Sequence, residues 1–383
     1  MSKVIYFTNA LDQNSFTYYL KNWKVSPNLS NQNFHLKLIK ALSLHFDVDV
    51  VSIRAINSNY AKAKLDASEY KDNNIHWLYP KVNANRVVKA LLLGNRIKKV
   101  LTIDNTQVIF VDALNYSLVK EAFKLAKRNK LKIIGVCTDN PYNISFTSSL
   151  YNKNLMKYAT KFDGYIVLTE GINKVFNMGK KPYLLIDGVS EDNIETPKPL
   201  INDKYIYFGG SLMEEYGVYN LIEAFNELNL KDIKLVVCGH HVQKDKLLSK
   251  INNNKNIIYL GPVNYLDNLS LERNALLSVN PRPINQKIDD YSIPSKTLEC
   301  LSMGCLNVTV DNKLLKENYE DCIIWANSSS VEDLKHTIKR ALELSDDEKK
   351  QIIESGYKKV MFRTSQTVIG TEIKNFLSKF FLN

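Results

Sequence analysis

The feature that most constrains this chain is a pattern of alternation that runs through it twice. Short apolar stretches at 4–8, 48–53, 75–79, 108–111, 132–137 and 165–168 alternate with amphipathic stretches at 34–45, 117–128 and 151–161. The short stretches are mostly apolar and do not alternate regularly with polar residues, which suits strands covered on both faces. A helix between successive strands makes those strands parallel. After 183–186 comes Asp187-Gly188-Val189-Ser190, then a polar run with Pro197 and Pro199 that reads as a linker. The pattern then restarts, with strands at 205–208, 234–238, 257–260, 276–279 and 306–310 and helices at 221–228, 331–344 and 346–360. A further amphipathic helix is expected at 368–380. With 383 residues, more than one hydrophobic core usually organises, two domains are expected: 1–195, and 200–361.

The second half carries the chemistry. Three of its strands close on glycine, at Gly209-Gly210, Gly239 and Gly261-Pro262, and a fourth runs into Asn280-Pro281-Arg282-Pro283. In a parallel sheet these carboxyl ends share one edge, where ligands bind and where glycine lets the backbone come close. Between that fourth strand and the last lies Ser292-Ile293-Pro294-Ser295-Lys296-Thr297-Leu298-Glu299, with Gly304 beyond. Proline suits a first helical turn and glycine a stop, so a helix is expected over 294–303, its free N–H groups facing an anion. Lys296 and Glu299 then share a helix face and can offer a cation to a diphosphate and a carboxylate to sugar hydroxyls. Taken alone, the same residues fit an amphipathic helix with a surface ion pair equally well.

A formal charge of +11 favours an anionic partner. Lysines are scattered along the chain, with no long basic run, no RNP-like motif and no zinc finger, so nucleic acid is not the expected partner. One local concentration, Arg86, Lys89, Arg96, Lys98 and Lys99 around Val87, Val88 and Ala90 to Leu93, fits either an anionic bilayer surface or a solvated helix with a buried apolar face. The opening residues lack a signal-peptide pattern, and no apolar run approaches the roughly 20 residues of a spanning helix, so a cytoplasmic protein is expected. The five cysteines, Cys137, Cys238, Cys300, Cys305 and Cys322, show no metal-ligand spacing and are read as reduced packing residues. Asp47-Val48-Asp49 spells a metal-binding DxD, but sits where a helix hands over to a buried strand, which favours a structural role. His240-His241 follow a strand end and suit either a place near a nucleotide base or a plain loop.

Several of these segments, in order, carry a resemblance. Tyr205-Ile206-Tyr207-Phe208-Gly209-Gly210-Ser211, Glu215-Tyr216-Gly217, Leu221-Ile222-Glu223-Ala224-Phe225, Asn280-Pro281-Arg282-Pro283 and Tyr291 to Glu299 are similar to the donor-binding domain of GT-B glycosyltransferases. The resemblance is to the large retaining family-four-like group, glycosyl transferases group 1, which includes many bacterial surface-polysaccharide enzymes. Upstream it is thinner and rests on Leu185-Ile186-Asp187-Gly188-Val189, which looks like that family's interdomain segment. It implies an α/β GT-B fold of two Rossmann-like doubly wound domains facing a central cleft, with the segment 362–383 packing back on the first.

The resemblance also implies residue roles. Gly209 and Gly210 would bring backbone amides to the donor diphosphate, with Ser211 beside them. Arg282 and Lys296 would neutralise it, Ser295 would add a hydroxyl, and Glu299 would hold the ribose. Asp139, in Cys137-Thr138-Asp139-Asn140-Pro141 where many members carry a histidine, fits an acceptor-side carboxylate and a turn cap equally. Tyr291 stands eight positions before Glu299, where the family often has a second glutamate. The expected activity is retaining transfer from a nucleotide sugar, a UDP-sugar first, to a glycan, lipid-linked or protein acceptor in surface glycan biosynthesis. No cofactor or metal is required, because a helix N-terminus with Arg and Lys can stabilise the departing phosphate. Two alternatives remain: a non-catalytic partner subunit of an active enzyme, and a nucleotide-sugar epimerase.

Overall fold

The computed structural model describes residues 2–23, 28–54, 64–144, 147–192, 194, 198–240, 244–251 and 254–382. Pro197 and His241 lie outside these, and only the backbone of Arg86, Val87 and Ala90 is described. The chain forms two compact units. Unit 1 comprises Met1–Asp192, Asp290–Ser292 and Thr364–Asn383, and unit 2 comprises Asn193–Asp289 and Ile293–Arg363.

Unit 1 holds β1 (Lys3–Thr8), α1 (Gln13–Trp23), α2 (Leu29–Ser43), β2 (Asp47–Ser52), β3 (Lys64–Leu65), β4 (Ser68–Asp72), β5 (Ile75–Tyr79), β6 (Val82–Asn83), α3 (Arg86–Val100) and β7 (Thr106–Asp112). It continues with α4 (Tyr116–Asn129), β8 (Lys132–Cys137), α5 (Ser149–Ala159), β9 (Gly164–Val167), α6 (Glu170–Phe176) and β10 (Tyr183–Leu185). Among the described residues its main sheet runs β10-β9-β8-β7-β1-β2-β5-β4. All pairs are parallel except β4 against β5. One apolar cluster lies on each face of the sheet's strands: Val4, Tyr6, Val48 and Phe110 contribute to one, Ile5, Phe7, Val51 and Ile109 to the other. This is the two-sided covering that mostly apolar strands require.

Unit 2 holds β11 (Tyr205–Gly209), α7 (Val218–Leu228), β12 (Lys234–Cys238), α8 (Lys244–Ile251), β13 (Ile257–Gly261), α9 (Tyr265–Arg273), β14 (Leu277–Asn280) and α10 (Gln286–Asp289). Then follow α11 (Ser295–Ser302), β15 (Asn307–Val310), α12 (Lys313–Tyr319), β16 (Ile324–Ala326), α13 (Val331–Glu343) and α14 (Asp346–Thr364). Its sheet is parallel throughout, in the order β13-β12-β11-β14-β15-β16. The last helix, α15 (Gln366–Phe380), belongs to unit 1, where Ile369, Ile373, Phe376 and Leu377 join the same core cluster as Leu38 and Leu42 of α2. Gly370 marks the contact, since a Cβ there would stand 2.4 Å from the Ala41 carbonyl oxygen. No described helix is long and apolar enough to cross a membrane.

Some elements escaped the sequence pattern. The strand β4 is exposed at every position, so neither alternation nor an apolar run betrays it. Among the described side chains of α1, Phe16 and Tyr19 are buried, and no regular apolar stripe marks the helix. Pro294 was expected inside the first turn of its helix; it instead stands at the N-cap, with φ −65 and ψ 85, and the helix begins at Ser295. Its carbonyl accepts the N–H of Thr297 at 3.0 Å, as an N-cap carbonyl does.

A buried polar network crosses unit 1 where β1 and β7 adjoin. The Tyr6 hydroxyl lies 2.6 Å from Nδ1 of His35, and Nε2 of His35 lies 3.5 Å from the Asp112 carboxylate. Asp112 also accepts from Asn31 Nδ2 at 3.2 Å and from the Leu114 N–H at 3.0 Å. Burial lowers the pKa of His35 below its ordinary 6.5, with Asp112 opposing the shift. Above pH 6.5 the imidazole is neutral folded or unfolded, and it contributes nothing to pH dependence. Below pH 6.5 the unfolded chain takes a proton that the folded chain resists, so stability falls with acid. Denaturant titration between pH 7 and 5 is therefore expected to show a slope that His35→Gln reduces by up to about 1.4 kcal/mol per pH unit.

Gly217 caps α7 at φ +77, and a Cβ there would stand 2.1 Å from the Pro281 carbonyl oxygen. Gly217→Ala is expected to cost about 1–3 kcal/mol of unit 2 stability, read as a lowered denaturation midpoint.

Candidate donor-binding site

In unit 2 the strand order reverses between β11 and β14, and a doubly wound sheet opens a crevice at the carboxyl ends of the strands flanking such a reversal. On one side, Gly209 ends β11 and Gly210 follows it. The Gly210 N–H donates to the Cys238 carbonyl at 3.0 Å, so that amide is committed to the neighbouring strand end. What glycine supplies here is closeness. Gly239, at φ +139, passes so near that a Cβ on it would stand 1.6 Å from the Gly210 oxygen. Ser211 follows, part-buried, and the Leu212 N–H donates to the His240 carbonyl at 2.8 Å.

On the other side, β14 ends at Asn280. Its Nδ2 donates to Thr297 Oγ1 at 3.1 Å, and Thr297 Oγ1 lies 3.2 Å from Thr309 Oγ1. Thr297 and Thr309 are buried, so this chain of hydrogen bonds ties the start of α11 to the carboxyl ends of β14 and β15 inside the protein. The Asn280 Oδ1 also accepts the Arg282 N–H at 3.4 Å, fixing the turn that carries the arginine. The guanidinium has Nη2 4.0 Å from Asp289 Oδ1, and Asp289 Oδ2 accepts the Asn285 N–H at 2.7 Å. Arg282 and Asp289 line a narrow pocket with Pro294, Thr309 and Asp311, about 10 Å³ in volume and so sized for one water. A nucleotide would lie across this edge rather than inside it.

The helix α11 starts without a side-chain cap, leaving orphan N–H groups at its first turn beside Arg282. Ser295, its first residue, is exposed. Lys296 Nζ lies 3.0 Å from Glu299 Oε2; the lysine side chain is 41% exposed and the glutamate 10%. Burial of part of the lysine works against its charge, but the carboxylates of Glu299 and Glu272 outweigh that and raise its pKa. It is therefore a cation throughout the neutral range. Glu272 is fully buried on α9, where it accepts from Asn268 Nδ2 at 2.8 Å. The Tyr207 hydroxyl donates to Asn268 Oδ1 at 2.7 Å and lies 2.7 Å from Cys238 Sγ. A polar network thus lies in the unit's core among Tyr207, Cys238, Asn268 and Glu272, with Lys296 in its field.

The structure thus groups Gly209, Gly210, Ser211, Arg282, Ser295, Lys296 and Glu299 in unit 2. Asp139 belongs to unit 1, after β8, where its Oδ1 accepts the N–H of Asn140 at 2.7 Å, while the turn that starts at Pro141 is capped by Asn140, whose Oδ1 accepts the Tyr142 N–H at 3.0 Å. Tyr291 also belongs to unit 1: it packs against the cluster of Phe176 and Ile172, over Gly171, where a Cβ would stand 3.0 Å from its ring. Asp49 is held by Lys3 at 3.3 Å and His76 at 3.4 Å. The five cysteines are buried and free. The sequence alone gives no role to Asp289, Asn280, Thr297 or Glu272. The only signal for these was position: Asn280 at a strand end, and a carboxylate on the otherwise buried stretch 268–272.

Residues 190–359 match the family model described as Glycosyl transferases group 1. No curated protein matches the chain. Among solved structures, sucrose-phosphate synthase from Thermosynechococcus elongatus is similar with a TM-score of 0.71 at 10% identity, over 98% of each chain. A trehalose-6-phosphate structure from E. coli bound with UDP-2-fluoro glucose gives a TM-score of 0.68 at 12% identity, over 98% of this chain and 99% of that one. Alr3699/HepE of Anabaena, in complex with UDP, gives 0.68 at 11% identity, over 98% of this chain and 100% of that one. The expected fold class is the one observed: two parallel-sheet α/β units of the kind GT-B enzymes are built from. The chain has the GT-B fold, and its residues 190–359 are similar to the domain of glycosyl transferases group 1.

Proposed function

We propose that this glycosyltransferase takes a UDP-sugar as donor and transfers the sugar with retention of configuration. The observation that carries the reading is the uncapped start of α11: its N-cap Pro294 lines the same pocket as Arg282, and Lys296 is the second residue of the helix. Arg282 faces Asp289 and Lys296 faces Glu299, and a diphosphate would take both cations over from these carboxylates. On donor binding, Lys296 would exchange Glu299 for phosphate oxygen and free the glutamate for the ribose hydroxyls. UDP and a UDP-sugar analogue, bound by two structures of the same fold, support this choice of nucleotide.

In the transfer step the acceptor hydroxyl oxygen bonds to the anomeric carbon as the bond to the diphosphate oxygen breaks. The acceptor's proton passes to the departing phosphate oxygen, whose charge Arg282, Lys296 and the helix N-terminus stabilise. This assigns the charge stabilisation to protein groups, so transfer needs no metal. Asp139, at a strand's carboxyl end in unit 1, is the residue we assign to the acceptor side. The setting we infer is surface glycan assembly in the cytoplasm, at the membrane's inner face, with a lipid-linked glycan the acceptor of choice. Support for the membrane contact comes from α3, where Leu91 is 74% exposed and Leu92 40%, close in sequence to Lys98 and Lys99. The position of Tyr291 in the apolar core of unit 1 favours one rival, a non-catalytic partner subunit; transfer or donor hydrolysis by the purified chain alone excludes it.

In calorimetric titration, UDP is expected to bind without added metal and with EDTA present. Arg282→Ala and Lys296→Ala should each weaken it at least tenfold, about 1.4 kcal/mol. Unchanged affinity in both variants would show that the site lies elsewhere. For the membrane contact, the protein should sediment with phosphatidylserine-containing vesicles and not with neutral ones, and Leu91→Gln with Lys98→Gln should abolish the difference.

A further inference from the structure

A second cavity lies wholly within unit 1, at the carboxyl ends of β1, β2 and β5. It measures about 370 Å³, within the roughly 300–1,000 Å³ usual for small-molecule sites. Its walls are Leu11, Tyr18 and Tyr19 of the β1–α1 region, Leu65, and Tyr79 at the end of β5, and Arg54 completes them just past β2. Tyr19 is 4% exposed and forms the floor, whereas Tyr18 is 64% exposed and stands at the rim. The wall at Tyr79 is rigid, because its hydroxyl donates to Asp12 Oδ2 at 2.5 Å and accepts the Asp12 N–H at 3.0 Å.

Arg54 is the unusual member. Its guanidinium covers the Tyr79 ring at 5.3 Å from the centroid. Its hydrogen bonds go to neutral acceptors, the carbonyls of Asp66 and Pro80 and the hydroxyl of Ser68, the last at 3.5 Å. Its Nε is buried with no hydrogen-bond partner. The Asp66 carboxylate, close enough to be felt, is itself bonded to Lys81. Burial of part of the side chain works against the guanidinium's charge, and a cation whose own hydrogen bonds go to neutral acceptors stands to gain from an entering anion.

Aromatic walls suit the apolar face of a sugar ring, and the guanidinium suits an oxyanion attached to it. We propose that this cavity is the subsite for an acidic acceptor sugar, one whose phosphate or carboxylate pairs with Arg54 while its ring lies against Tyr18. The assignment to the acceptor rests on the glycosyltransferase reading above; the binding of an acidic sugar does not.

The test is direct binding by the full chain, with no nucleotide present, of glucuronic acid, glucose 6-phosphate and glucose. At least one acidic sugar should bind ten or more times tighter than glucose, and comparing the two acids identifies which oxyanion the site takes. Arg54→Gln should remove that preference, and Tyr18→Ala, at an exposed position with little risk to folding, should weaken acid and neutral sugars alike. UDP affinity, measured alongside, should be unchanged in both variants, which also certifies their fold. The proposal is overturned if neither acid binds the wild-type chain, if glucose binds as well as the acids, or if Tyr18→Ala leaves acid binding unchanged. Loss of UDP binding by the wild-type chain would instead defeat the donor reading, without bearing on this cavity.

Discussion

Parallel pairing is the constraint on which this structure depends. A parallel sheet sends every strand's carboxyl end to one edge, and the connection that follows must climb into a helix whose N-terminus begins near that edge. Backbone N–H groups and partial positive charge therefore gather along the same line, whatever the side chains are. Both units use this arrangement, and both place their reversal of strand order between the first strand and the strand that begins the second half of the sheet, β7 in unit 1 and β14 in unit 2. The two edges are furnished differently. Unit 1 fills its reversal with a buried histidine and aspartate, Asp112 beside His35, and unit 2 leaves an arginine and an uncapped helix there.

Two kinds of polar contact hold the unit 2 edge, with different consequences. The Asn280, Thr297 and Thr309 side chains meet inside the protein, where an unmade hydrogen bond costs about 1–3 kcal/mol, so they fix where α11 starts. The Lys296–Glu299 pair is 41% exposed at the lysine and 10% at the glutamate, so an arriving anion meets the lysine end first. A rigid frame with an exchangeable ion pair on it is what a site needs if charged groups are to change partners when an anion arrives.

Much of this was legible in the sequence, because the signals were local. Mostly apolar runs marked the covered strands, and strand ends carrying glycine or Asn280-Pro281-Arg282 marked the edge. The exposed strand β4 and the mostly polar helix α1 were not legible, since exposure removes the periodicity that betrays an element. Nor was the aromatic cavity of unit 1. Tyr18, Tyr19, Arg54 and Tyr79 come from separate elements, and only the sheet order β1-β2-β5 brings them together. Arg54 did carry the signal that singled out Arg282, a cation just past a strand's carboxyl end, but without glycine or proline around it to draw notice.

Position 291 shows how a local departure can be a change of use rather than a loss. The Tyr291 ring packs among Phe176, Ile172 and neighbouring apolar groups of unit 1, and Thr169 Oγ1 donates to the preceding carbonyl of Asp290 at 2.9 Å. A glutamate at 291 would forfeit the ring's contact with that apolar cluster. The segment 290–292 belongs to unit 1, so on the reading proposed above a carboxylate for the donor's sugar would come from elsewhere on the unit 2 edge. Asp289 qualifies: it is one residue before that segment, it is held by the Asn285 N–H at 2.7 Å, and its other oxygen lies 4.0 Å from Arg282. If a diphosphate takes over the arginine, Asp289 loses the one cation paired with it among the described residues, and its Oδ1 is left to face the pocket. That arrangement suits a hydrogen bond from a sugar hydroxyl.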